Sequence, residues 1–301
     1  MGPPEVLILG GRPEGWHGAK LREAFTRLGA RVARRDFRTL GLALGEGGTG
    51  IAGLPGLPTV ALVRSIPAGS FEEVTLRLGL LHALQALGVP VVNGPRAIER
   101  CVDKSMTSFL LHRAGLPTPP TWVTQSAEEA RALCGREAAA GHRTVLKPLF
   151  GAQGRGLRLL NGSAELPPPE EVGGIYYLQR FIGPAEGSWR DFRVFVVGGS
   201  AIAAMQRHGA SWITNIGQGG RAELAAIDGR LAALAVAAAQ SVEAAHAGVD
   251  LIPAAGGGYW ILEVNSMPAW QGLQSVSEVD IALHLARDVL AQVRPGRPVA
   301  A

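Results

Sequence analysis

Lysine is nearly missing from this chain: it occurs only at Lys20, Lys104 and Lys147, and arginine supplies most of the remaining positive charge. An ammonium acts as a compact point charge suited to phosphate oxygens, whereas a guanidinium imposes a planar fork, so each retained lysine calls for a reason. Cysteine is equally scarce. Cys101 and Cys134 stand far apart with no metal-ligand spacing, which excludes a disulfide framework or a zinc site and fits reduced residues of a cytoplasmic protein. No block of basic residues accompanies the net charge of +4, so a nucleic-acid arm is excluded and small anions such as nucleotides account for the surplus. Long apolar runs are also absent. The first, at residues 6–9, is too short for a secretory signal and has no basic leader, and the alanine-rich stretch 231–249 is broken by Gln240, Ser241, Glu243 and His246. The expectation is a cytoplasmic protein with neither membrane nor nucleic acid as partner. No Ser-His-Asp or Cys-His arrangement offers a side-chain nucleophile.

What is present suits a compact enzyme: 47% hydrophobic and 18% charged residues over 301 positions, enough for two or three packed lobes. Short apolar runs at 6–9, 30–34, 59–63 and 90–92 alternate with helical patterns at 17–28 and 71–87, which argues a parallel α/β lobe over residues 1–96. The glycine-rich segment 41–56 reads as a surface loop. Residues 97–183 open with helices at 96–101 and 104–114. Strands follow at 121–123, 144–147, 157–160 and 176–182, with a helix from 126 to about 140 opened by a Ser126–Glu129 capping box. Residues 184–301 carry strands at 192–197, 201–206, 249–252 and 259–264 and helices at 231–247 and 279–293, the first capped by Asp228. The fold class expected is therefore mixed, α/β followed by α+β.

Two motifs carry chemistry. In Leu262-Glu263-Val264-Asn265-Ser266-Met267-Pro268, Glu263 and Asn265 share one face of a strand, and antiparallel pairing with the strand of Asp250 would gather three hard oxygen ligands of the kind Mg2+ takes. A hydrogen-bonded strand end is the other reading. In the run from Val145 to Gly156, Lys147 precedes Gly151, Gly154 and Gly156. Such glycines let backbone N–H groups approach phosphates, although a plain hairpin turn fits the same spacing. No Gly-Lys-Ser/Thr follows, so this is not a P-loop. The glycines between Gly10 and Gly15 have the wrong spacing for a dinucleotide fingerprint with Asp36 as its ribose acid, and Pro13 stiffens the run. His112 and His208 lie near these motifs without a carboxylate partner, Trp212 could line an acceptor pocket, and Arg193 reads either as a ligand for a substrate carboxylate or as half of a surface ion pair.

Together these segments resemble the ATP-grasp superfamily, from about Asn93 to Gln274. Within it they are similar to the RimK-like amino-acid ligases, which include the ribosomal-protein glutamate ligase, the LysX enzyme of lysine biosynthesis and the cofactor glutamate ligases. The resemblance implies a three-lobed ATP-grasp fold. Val102-Asp103-Lys104 resembles the segment whose lysine reaches the ATP phosphates. Val145–Gly156 is similar to the second phosphate lysine, Lys147, with a glycine-rich lid around Gly154. Leu178-Gln179-Arg180-Phe181-Ile182 is similar to the hinge that pairs with adenine; an acid often stands in the family where Arg180 does, so only backbone is carried over there. Asp191 matches a nucleotide-contacting aspartate, Arg207 the arginine that stabilises the transferring phosphoryl group, and Asn215 lies in the segment near ATP and the acceptor. Asp250, Glu263 and Asn265 fall on the family's metal triad. Ile213 and Gln218 stand where the ribosomal-protein ligase has arginine, which leans toward the LysX and cofactor-ligase branches.

The implied activity is a carboxylate–amine ligation through an acyl-phosphate, using ATP and Mg2+ (or Mn2+), with glutamate joining a small-molecule acceptor. A kinase-like phosphotransferase and a non-catalytic nucleotide-binding module are the alternatives. An exposed apolar helix in the first lobe would support a homodimer or homotetramer.

Overall fold

The computed structural model describes residues 2–11, 15–45, 48–151, 154–183 and 189–293. Residues 12–14 and 152–153, which belong to the two glycine-containing runs noted above, lie outside that set. The chain opens with strand β1 (Glu5–Leu9), helix α1 (Trp16–Arg27) and strand β2 (Arg31–Arg35). Next come a hairpin of β3 (Gly41–Gly45) and β4 (Gly48–Ala52), then β5 (Val60–Val63), α2 (Phe71–Ala86) and β6 (Val91–Val92). Strands β2-β1-β5-β6 form a parallel sheet whose central strands are wholly buried, as the unbroken apolar runs require. Ser70 and Glu73 close a full capping box on α2.

The hairpin replaces the loop expected at 41–56. Its register pairs Leu42 with Ile51, and Ile51 is buried with Leu40 in the core beneath the sheet.

Helices α3 (Pro95–Val102) and α4 (Lys104–Arg113) lead to an antiparallel sheet ordered β7-β10-β8-β9. Its elements are β7 (Thr121–Thr124), α5 (Ala127–Ala139), β8 (Thr144–Lys147), β9 (Arg158–Leu160) and β10 (Tyr176–Arg180). The box expected at Ser126 is half made: Ser126 Oγ accepts from Glu129 N–H, but the Glu129 carboxylate accepts from Thr124 Oγ1 instead.

A second antiparallel sheet, β13-β12-β11-β14-β15, completes the molecule. It comprises β11 (Trp189–Val197), β12 (Ser200–Gly209), β13 (Arg221–Leu224), α6 (Gly229–Ser241), β14 (His246–Pro253) and β15 (Tyr259–Asn265), followed by α7 (Gln271–Gln274) and α8 (Ile281–Ala291). Asp228 caps α6 through Leu231 N–H. The helix stops six residues before the expected 247. Glu243 turns left-handed (φ 62°), Ala244 N–H bonds back to Ala239 O, and the next residues leave as a strand. One core fills the space between the parallel sheet, α1, α8 and the β11–β12 face, so the last helix packs on the first. No helix among the described residues is long and apolar enough to cross a membrane.

Candidate active site

The two antiparallel sheets face each other across a cavity of about 660 Å³, a size suited to a nucleotide-sized ligand. The central sheet supplies one wall. On β8, Lys147 is paired in register with Tyr177, and its ammonium lies 5.9 Å from that ring's centroid. It donates to Gln179 Oε1 at 2.7 Å, and Gln179 Nε2 in turn donates to Thr121 Oγ1, so buried Gln179 fixes the lysine from the middle strand. Burial pushes the Lys147 ammonium down to about 8. Lys104 opens α4, where Asp103 accepts from Ser105 and Met106 N–H, and its ammonium donates to Gly151 O at 2.7 Å. Burial lowers Lys104 as well, against the pull of Glu263 and Asp103.

The hinge follows β10. The Arg180 side chain turns out of the cleft to a bidentate pair with Glu137 of α5 (2.7 and 3.0 Å). Its N–H bonds Pro120 O and that of Phe181 bonds Arg143 O. Phe181 then meets Trp189 and Trp212 edge-on, each at 6.0 Å between ring centroids, and an apolar wall results. Gly154 takes the left-handed conformation that favours glycine (φ 69°) and lies against the side chains of Ile213 and Asn215 in the 212–218 segment.

The opposite wall is charged. Asp191 and Arg193 share one face of β11; Arg207 lies beside Asp191 on β12, and Asp250 beside Arg193 on β14. Arg207 Nε donates to Asp191 Oδ1 at 2.8 Å and Nη2 reaches Asp250 Oδ2 at 2.9 Å, while Arg193 grips Asp250 with two bonds of 2.7 Å. Burial alone would raise the Asp250 carboxyl; Arg193 and Arg207 outweigh it and hold it at about 2. Arg193 is therefore a partly buried partner of the buried Asp250, not half of a surface pair.

Glu263 on β15 stands directly opposite Asp250. Among the described residues its carboxylate makes no hydrogen bond or salt bridge, and it shares a small niche with Lys104 and Lys147. Asn265, two residues on, accepts Met267 N–H at 3.0 Å and does not line the cavity. No group of three or more His, Cys, Asp or Glu is arranged for a metal among the described residues. Of the three oxygen donors expected for a metal, Glu263 presents its carboxylate to the cavity, Asp250 is held by Arg193 and Arg207, and Asn265 stands off the cavity; hard oxygens of this kind are the ligands that magnesium takes.

The family model for a RimK-like ATP-grasp domain matches residues 101–289. The tetrahydromethanopterin:alpha-L-glutamate ligase of Methanococcus maripaludis is 36% identical over 76% of this chain and 78% of its own length. That of Methanocaldococcus jannaschii is 38% identical over 68% and 72%. The chain belongs to the RimK-like ATP-grasp family. A solved structure of the ATP-grasp ligase PsnB with a precursor variant, Mg and ADP shares the fold, with a TM-score of 0.71 at 24% identity over 97% of this chain and 99% of that one.

Among the residues expected to matter, Lys104, Lys147, Gly154, Gln179, Arg180, Phe181, Ile182, Asp191, Arg207, Asn215, Asp250 and Glu263 line the one ATP-grasp cleft. Trp189, Arg190 and Arg155 also line it without having been singled out as ligands. A tryptophan beside the Arg190-Asp191-Phe192-Arg193 motif was the available signal for the first of these, but sequence does not tell a wall aromatic from a core one.

Proposed function

We propose that this RimK-like chain is a glutamate ligase, which joins the amine of glutamate to a carboxylate of a small-molecule acceptor at the expense of ATP. The observation that carries the reading is the unpaired Glu263 carboxylate, opposite Asp250 and sharing its niche in the cleft with two half-buried lysines. The naming of the methanococcal relatives as glutamate ligases supports the choice of amino acid.

In this reading Lys104 and Lys147 hold the phosphates. The hinge offers adenine the Ile182 N–H, since those of Arg180 and Phe181 are already bonded. Asp250, Glu263 and Asn265 would hold Mg2+ (or Mn2+), which would supply positive charge to offset that of the phosphates. Arg207, fixed by Asp191 and Asp250, stabilises the charge that develops as an acceptor carboxylate oxygen attacks the γ-phosphorus and ADP departs. The glutamate amine then attacks the acyl carbon, loses a proton and expels inorganic phosphate. The Gly154 lid keeps water from the acyl-phosphate. Residues 1–96, 97–183 and 184–301 act as the three lobes, and the exposed Phe71 and Leu76 of α2 support a dimer or tetramer. Two buried free cysteines accord with a cytoplasmic setting.

The test is a screen of acceptor acids for phosphate release that requires glutamate, with mass spectrometry of the product. Release of ADP without an amine, and without an amide product, would favour a phosphotransferase. ATP left unchanged across the screen would favour a non-catalytic module.

A further inference from the structure

The parallel sheet changes direction between β1 and β5: β1 connects to β2 on one side, and the chain then crosses to β5 on the other. In open α/β sheets a crevice forms at the carboxyl ends of such strands, and ligands bind there. Its walls here are Gly10-Gly11 after β1 and Arg64-Ser65 after β5, tied together by Arg64 N–H to Leu9 O and Gly11 N–H to Ser65 Oγ, both at 2.8 Å. The last sheet closes the crevice from above through Met267 and Trp270. Arg64 donates to Met267 O at 3.2 Å and its guanidinium lies 4.9 Å from the centroid of the Trp270 ring.

Arg64 is a partly buried cation without an anion. Among the described residues no carboxylate pairs with it, and its Nε has no partner. Two other buried polar atoms also lack partners among the described residues: Nδ1 of His246, whose pKa the Arg64 charge lowers, and Nε1 of Trp270, the ring over which Arg64 lies. The two histidines beside it are neutral, since burial and then the Arg64 charge push His17 down to about 4 and His246 to about 3. A guanidinium taken out of water needs a counter-charge, and the described residues provide none. The seam leads to the acid-lined floor: Met267 is two residues from Asn265, and Pro268 lies against the backbone of Gly248 where Arg193 also packs.

We infer that Arg64 is the anchor for a carboxylate of the substrate, received in the crevice at the ends of β1 and β5 and thereby aimed at the Asp250–Glu263 floor. The inference deepens the ligase reading and rests on it. The carboxylate belongs either to the amino acid that supplies the amine or to the acceptor acid.

The test is thermal unfolding of the full chain with Mg·ADP present, titrated separately with L-glutamate and with glutarate, which has the two carboxylates but no amine. Wild type is compared with Arg64→Lys and Arg64→Met. A response to glutamate but not glutarate assigns the anchor to the amino acid; a response to glutarate assigns it to the acceptor-type acid. In Arg64→Met the half-saturating acid concentration should rise roughly tenfold or more, and in Arg64→Lys by less, with Mg·ADP binding unchanged. Without ligand, Arg64→Met should melt at or above the wild-type midpoint, because an uncompensated charge has been removed. If Arg64→Met binds both acids as wild type does, or if neither acid shifts the wild type, the anchor is overturned. Failure of Mg·ADP to bind wild type would instead count against the nucleotide reading, and the acid titrations would then be read without it.

Discussion

At the residue scale, two of the groups proposed to act in the cleft are ones whose charge the fold leaves unpaired or unsettled by burial. Among the described residues Glu263 has no hydrogen-bonding partner, so its removal should cost function and little stability. Glu263→Gln is expected to lower glutamate-dependent phosphate release by at least roughly 10²-fold with the melting midpoint nearly unchanged. Wild-type turnover in that variant would mean that the carboxylate holds no cation. Lys147 makes a pH prediction of two signs. Its pKa is pushed down to about 8 by burial, so the cation proposed to hold phosphate is present below that value and lost above it. Mg·ADP affinity, followed by calorimetry from about pH 7 to about pH 9, should fall, and Lys147→Met should abolish that slope. The unfolded chain keeps the same proton to about 10.4, so it binds more protons than the native state between those values, and unliganded stability should rise with pH there. The rarity of lysine drew attention equally to Lys20, Lys104 and Lys147, and the family resemblance set the last two apart. The bracing of Lys147 by Gln179 was not legible, because it depends on which residue of β10 falls beside which of β8.

At the element scale, local signals carried the helices and strands wherever apolar period and capping agreed, and they failed where a distant contact decided. Alanine propensity would carry α6 through residue 247. Instead Asn93, fully buried at the end of the first lobe, accepts from Ala245 and His246 N–H and donates to His246 O and Ser266 O. One amide thereby claims the backbone where β14 starts and the backbone just past β15. No reading of 229–247 alone contains that partner. The β3–β4 hairpin escaped notice for a related reason: its alternation is carried by Leu42, Leu44 and Ile51 alone, with glycines at Gly41, Gly45, Gly48 and Gly50. The Asn93 latch is testable. Asn93→Ala leaves four buried backbone bonds unmade and should destabilise by about 3 kcal/mol or more, read from the urea midpoint. A shift of only a few tenths of a kcal/mol would show that the sheet edge holds itself.

Across the whole molecule, the site is assembled by strand order. Asp191 and Arg193 come from β11, Arg207 from β12, Asp250 from β14 and Glu263 from β15, while both lysines cross from the other side of the cleft. Sequence identified each of these groups and foresaw the pairing of Asp250 with Glu263. It did not foresee that Asp250 would be claimed by two arginines, because ion pairing across three strands needs the register. That network ties stability to acid in a definite direction. The folded Asp250 carboxyl is held at about 2 against about 3.9 unfolded, so its contribution is complete above the higher value and disappears as pH falls through the lower. Asp250→Asn strands Arg193 and Arg207 with one acid between them, and should cost about 3 kcal/mol at neutral pH. Because wild type loses the same interaction by protonation, the gap between the two proteins should narrow as urea unfolding is repeated toward pH 2. A gap that stayed constant to the acid end would mean that Asp250 contributes through packing and hydrogen bonds that survive protonation, and that its charge is not what holds Arg207 in place.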